Sequence, residues 1–173
     1  MPRDAPSFPN DARSDLRLRP IVEADRFRLR RWLAQPRVVQ WWGSRAAADA
    51  MIALAAQTPS ALVRIIERDG EPIGYAHALD IAEPRLRPAT WTADAFIAAP
   101  LARGQGLGAK ALALLATEIF ATTLASALAV RVSIRNERSV RAIERAGFGW
   151  HSIAADPALG PCWWLIAVRR GEH

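Results

Sequence analysis

The sequence is short of several residue types, and each shortage removes a class of function. Of 173 residues only Cys162 is a cysteine, which excludes an intrachain disulfide and a cysteine-based zinc site. The three histidines, His77, His151 and His173, share no metal-ligand spacing, so no metal is expected. Tyr75 is the one tyrosine and Lys110 the one lysine. There is no basic tail and no low-complexity run, which argues against nucleic acid as a partner. Long apolar runs are also missing. The nearest approach, Ala111 to Val130, is rich in Ala and Thr and contains Glu118, an acid that a bilayer would penalise. A helix, a short turn and the start of a strand explain it better. Residues 1–14 carry three prolines and no apolar core, so they read as a disordered leader rather than a secretory signal. These absences predict a cytoplasmic protein with no membrane partner.

What is present suits one globular domain over residues 15–173. Hydrophobic residues make up 51% and charged residues 23%, enough apolar material for a buried core. Lys and Arg outnumber Asp and Glu by 23 to 17, for a net charge of +6. Such an excess points to an anionic partner. Residues 1–50 and 101–150 each carry +4, residues 51–100 carry −2, and the remainder balances. An acidic middle therefore sits between two basic parts.

Periodicity divides the chain into alternating elements. Leu16, Leu18 and Ile21 suggest a first strand. Asp25 to Gln35 reads as a helix stopped by Pro36. Val38 to Gly43 reads as an apolar turn, and Ser44 as the cap of a helix running to Gln57. Strands over Ala61–Glu67 and Pro72–Ile81 flank the turn signal Asp69-Gly70. Thr90 to Ile97 is a further strand ended by Pro100, and a glycine-rich turn then opens a helix from Gly106 to Thr122. A strand over Ala129–Ile134 leads to a helix over Glu137–Ala146, closed by Gly147. Two strands, Phe148–Ala154 and Cys162–Val168, end the pattern. The order predicts a mixed α/β sheet in one domain.

The glycine-rich turn is Arg103-Gly104-Gln105-Gly106-Leu107-Gly108. Glycines let the backbone turn tightly and approach a ligand closely. The first amides of the following helix lack intrahelical acceptors and favour an anion. Arg103 and Lys110 add positive charge, so a phosphate or pyrophosphate site is predicted. The competing reading is a helix start whose glycines serve packing alone. A Walker loop is excluded because Gly108 is followed by Ala109-Lys110-Ala111. A dinucleotide fingerprint is excluded by the G-x-G-x-G spacing. Asn136 precedes the next helix, where it can cap the helix, bond a ligand, or both.

These residues together resemble the GNAT superfamily of acyl-CoA-dependent N-acetyltransferases. Its pyrophosphate motif matches Arg103, Gly106 and Gly108, and its second motif matches Asn136, Ser139, Gly147 and Phe148. The stretch Trp32 to Gly43 and the segment Glu71 to Tyr75 resemble the aminoglycoside 6′-N-acetyltransferase branch, with Arg37 where that branch has histidine. The resemblance implies a mostly antiparallel sheet, splayed in a V between two central parallel strands, with helices on both faces. It implies acetyl-CoA as co-substrate and a small amine as acceptor, and both a monomer and a homodimer are compatible with it. Phe96, Ile97, Arg103, Gly104, Gln105, Gly106, Leu107, Gly108, Lys110, Asn136 and Ser139 would hold acetyl-CoA. Trp41, Trp42, Tyr75, Asp80 and Asp94 would line the acceptor site.

Asp94 is the expected catalytic base, since an attacking amine must lose a proton. It lies in the strand before the turn, flanked by Ala93 and Ala95, and reads as facing away from Phe96. It could instead simply attract a cationic amine, or be a solvated strand acid. The family's usual tyrosine acid falls at Ile143 here. The acceptor is expected among Asp80, Glu83 and Asp94, with Glu67, Asp69 and Glu71 on the hairpin. Arg85, Arg87 and Arg131 stand where drug-modifying relatives carry more acid, so a metabolite amine, a siderophore amine or a protein N-terminus is the alternative to an aminoglycoside. A weakly catalytic acyl-CoA sensor is the alternative to an enzyme.

Overall fold

The computed structural model describes residues 15–42, 45–80, 83, 86–157 and 159–170. The leader 1–14, Ser44 and Arg85 lie outside the described residues. Among the described residues the elements run β1 (Leu16–Pro20), α1 (Asp25–Leu33), α2 (Pro36–Trp42), α3 (Arg45–Gln57), β2 (Leu62–Arg68), β3 (Glu71–Leu79), β4 (Thr90–Ile97), a short 3₁₀ turn (Pro100–Ala102), α4 (Leu107–Thr122), β5 (Ala127–Ser133), α5 (Glu137–Arg145), β6 (Gly149–Asp156) and β7 (Gly160–Val168). The strands form one sheet in the order β1-β2-β3-β4-β5-β7-β6. Every neighbouring pair is antiparallel except β4 and β5.

That parallel pair is short. It runs from Thr90 opposite Ala127 to Ala93 opposite Val130 and then stops. Both strands continue past the end of the ladder, β4 to Ile97 and β5 to Ser133. The sheet therefore opens at Asp94 and Arg131, the first residues beyond the last pair. α4 and α5 cover one face through Leu112, Leu115, Ile119, Val140 and Ile143. α1, α2 and part of α3 cover the other through Leu29, Trp32, Leu33, Val38 and Ile52. Alternation assigns the strand residues to these layers. Ala93 and Ile97 pack toward α4, whereas Phe96 packs with Tyr75 and Trp32 on the opposite side.

Two expectations are corrected here. Val38–Gly43 is not an apolar turn, because its first five residues belong to helix α2. Pro36 does end α1, yet it also serves as the first residue of α2, where a missing N–H costs nothing. Asp94 does not face away from Phe96. Residues two apart on a strand share a face, and the pairs His77–Asp94 and Tyr75–Phe96 set all four side chains on one side.

Buried charges fasten the front of the sheet. Asp25 opens α1 and accepts hydrogen bonds from Arg19 at 2.6 and 2.9 Å, Arg28 at 2.8 Å and the Val22 amide at 3.0 Å. Arg19 also reaches Glu67 at 2.5 Å, and Arg17 reaches it at 2.8 Å. Glu118, the acid inside the apolar run, pairs with Arg64 of β2. No helix among the described residues is long and apolar enough to cross a membrane.

Gly74, opposite Ile97, shows how closely β3 and β4 approach beside the open end of β4. A Cβ there would lie 2.2 Å from the Phe96 carbonyl oxygen. Backbone cannot yield as a side-chain tip can, so Gly74→Ala is expected to cost about 1–3 kcal/mol. Gly149→Ala, with nothing within 4 Å of the added methyl, is the control. Thermal denaturation should show a lower Tm for the first variant only, and equal values for the two would refute the steric argument.

Candidate active site

A cleft of about 420 Å³ occupies the opening between β4 and β5. One wall is the end of β4 with the turn into α4. The other is the end of β5 with the start of α5. The last residues of α2 close one side. This arrangement brings together Trp41, Trp42, Asp94, Phe96, Ile97, Arg103, Gly104, Gly106, Leu107, Gly108, Asn136 and Ser139. Gln105, Lys110, Tyr75 and Asp80 are not among the lining residues.

The turn before α4 is shaped for an anion. Gly104 and Gly106 have φ of +81° and +72°, a left-handed conformation that side chains disfavour. Gly106 is the N-cap, and the first intrahelical amide bond runs from Lys110 to its carbonyl. The amides of Leu107, Gly108 and Ala109 thus lack helical acceptors. Arg138 supplies a cation across the cleft, so close that a Cβ on Gly104 would meet its guanidinium at 2.6 Å. The motif sequence singled out Asn136 and Ser139 but passed over Arg138 between them. Asn136 caps α5, its side-chain oxygen accepting the Ser139 amide at 3.2 Å.

Arg103, which lines the cleft, is also hydrogen-bonded within the protein. Its Nε donates to the Ile97 carbonyl at 3.2 Å, and its Nη2 donates to the Ala98 carbonyl at 2.6 Å and to the Gln35 side chain. The guanidinium fastens the turn to β4 and to the α1–α2 junction. Gln105, exposed, donates to the Leu101 carbonyl at 2.6 Å and accepts from Arg68.

Asp94 sits half-buried at the point where the strands part. Burial pushes its carboxyl up to about 7, with the Arg131 charge and the Ala95 amide opposing the shift. Its Oδ1 accepts that amide at 3.2 Å. His77 lies opposite on β3, 2% exposed, and burial depresses its pKa to about 4, which leaves the ring neutral at pH 7. Tyr75 is fully buried, and burial with the nearby Asp94 charge pushes its phenol up. Trp42 meets Phe96, His77 and Tyr75 edge-on at centroid distances of 4.9, 5.8 and 6.0 Å. An apolar, aromatic lining therefore holds the carboxyl near neutrality, where a general base works best.

Most of the expected acceptor acids are elsewhere. Glu67 is taken by Arg17 and Arg19, while Asp69 accepts the Asp15 amide and Glu71 and Asp80 are exposed off the cleft. Glu83 is half-buried and does not line it either. The second acid among the described lining residues is Asp156, at the end of β6, which lies between the two last strands predicted from the sequence. Ile143 is buried in the cleft wall, so no phenol stands there. Cys162 is fully buried, and burial raises its thiol pKa, as suits a packing role.

A family model described as an acetyltransferase (GNAT) domain matches residues 22–154. The chain belongs to the GNAT acetyltransferase family. Acetyl-CoA is accordingly its co-substrate, and the turn suits that molecule's diphosphate: free amides, two left-handed glycines and a facing arginine. Aminoglycoside N(6')-acetyltransferase type 1 of Klebsiella pneumoniae is 27% identical over 178 residues, covering 95% of this chain and 88% of the relative. Its counterpart in Serratia marcescens matches equally. Among solved structures, the aminoglycoside acetyltransferase AAC(6')-Ib in complex with coenzyme A and kanamycin superposes with a TM-score of 0.76 at 27% identity, over 90% of this chain and 95% of that one. For the GNAT fold the open parallel pair is the central feature, and here it ends at Ala93 and Val130.

Proposed function

We propose that this GNAT protein moves the acetyl group of acetyl-CoA to a primary amine of a small molecule by direct attack in a ternary complex. The observation that carries the reading is Asp94, a carboxyl near neutrality at the opening of the sheet, in the same cleft as the anion-shaped turn. Acetyl-CoA supplies the thioester carbonyl that the amine attacks. The α4 amides, Arg138, Asn136 and Ser139 would bind it. Asp94 accepts the ammonium proton, directly or through one water, and so produces the neutral nucleophile. Trp41 and Trp42 exclude water from that side of the acceptor. With Ile143 in place of a phenol, proton delivery to the departing sulfur falls to water or the Ser139 hydroxyl.

The test is release of the CoA thiol from acetyl-CoA in the presence of kanamycin, spermidine, short alkylamines and amino acids. Release that depends on an added amine is expected, with a mass gain of one acetyl group on that amine. Binding of acetyl-CoA without release for any amine overturns the catalytic reading and leaves a sensor.

A further inference from the structure

The acceptor end of the cleft is not built for a polycation. Among the described residues its lining holds two acids, Asp94 and Asp156, and Arg131 acts on both of them. Arg131 is the one exposed residue of β5, set between buried Val130 and Val132. Its Nη2 lies 3.1 Å from Asp156, its charge acts on Asp94, and its guanidinium stands over the Trp164 ring at 5.7 Å. The parallel ladder stops at Ala93 and Val130, so Asp94 and Arg131, the next residues of their strands, stand on either side of the opening. Arg37 adds a further positive charge to the same cleft. An arginine in a central strand, over an indole and still 38% exposed, keeps donors available for a planar anion.

We infer that the acceptor is an amine that also carries a carboxylate, with its nitrogen at Asp94 and its carboxylate on Arg131. The inference rests on the acetyl-transfer reading above and specifies its substrate class. Asp94 and Arg131 then form a two-point match to a zwitterion. Asp156 holds the arginine in place when no substrate is bound. A polycationic acceptor meets Arg131 and Arg37 instead of a field of acids, and loses by repulsion what it gains at Asp94.

Matched acceptors test this on the whole protein. The pairs are 6-aminohexanoate with hexylamine, and lysine with cadaverine; kanamycin is the polycation. CoA release gives kcat/KM for each. The carboxylated member is expected to exceed its partner at least tenfold. Arg131→Gln should collapse that ratio toward one, Arg131→Lys should restore part of it, and Arg131→Glu should invert it toward cadaverine. Equal use of both members by the wild type, an unchanged ratio in Arg131→Gln, or kanamycin as the best acceptor overturns the inference while acetyl transfer stands. No turnover of any amine overturns both. The wild-type ratio decides the matter even if the variants do not fold.

Discussion

Replacing Asp94 by asparagine is expected to lower kcat by about 100- to 10,000-fold, the usual worth of a general base. Asparagine keeps the shape and can still accept the Ala95 amide, so the loss belongs to the proton acceptor and not to the backbone. The pH profile gives a second readout. A general base at Asp94 works only when ionised, and burial raises this carboxyl's pKa to about 7. In the wild type kcat/KM should climb with pH up to and through about 7 and then level off. In Asp94→Asn that limb should vanish. Stability should move in the other direction. The folded carboxyl holds its proton to higher pH than the unfolded one, so ionisation draws stability away as pH rises from about 4 through 7. At pH 8 the asparagine variant should therefore be at least as stable as the wild type. Wild-type turnover with an intact acid limb in the variant would remove Asp94 from the reaction.

The largest effect on stability is expected from Asp25→Ala. The carboxylate is 1% exposed and receives four hydrogen bonds, three of them from arginine nitrogens. Taking it away leaves Arg19, only 25% exposed, with Glu67 as its one carboxylate partner and the Val22 amide without its acceptor. Losing one partner of a buried pair costs about 3 kcal/mol or more. In a chain of this size that lowers Tm by roughly 6–12 °C. Glu23→Ala is the control, because its pair with Arg26 is 79% and 73% exposed and is worth little. A shared Tm for the two variants would show that the cluster does not hold the front of the sheet. Arg19 pulls the Asp25 pKa down to about 2, and Glu67 is lowered in the same way. Carboxylates so lowered stabilise the fold above their unfolded pKa near 4, and that support drains away as pH falls toward 2. Acid unfolding should accordingly begin earlier in Asp25→Asn than in the wild type.

The two carboxylates also mark what a sequence can and cannot disclose. Strand β4 was legible to the residue, because alternation and a following proline both act locally. The turn at Asp69-Gly70 was legible for the same reason, and both residues adopt positive φ. Helix α2 was not, since Pro36 can stop one helix or start another and only the packing of Val38 chooses. The glycine-rich turn declared itself through spacing, but Arg103 did not reveal that carbonyls of β4 would claim it. Glu67 looked available until β1 arrived from 48 residues away carrying Arg19. Tyr75 looked like a pocket residue until Trp42 and Phe96 closed over it. Asp156 gave no signal, because its role comes from lying beside Arg131 on a strand two positions across the sheet. Sequence spacing reports what a backbone does locally, while charge pairing is decided by topology.

Arg103 joins three pieces of chain that are far apart in sequence. It follows the 3₁₀ turn, grips the end of β4, and holds Gln35, the residue that leads into α2 with Trp41 and Trp42 at its far end. One side chain therefore ties the turn before α4 to the helix that carries the tryptophans. Two reactants held on separate walls gain only as much effective concentration as the stiffness of the frame between those walls allows. In this protein the Arg103 guanidinium is a crossbar of that frame, beside the packing of Trp42 on Phe96.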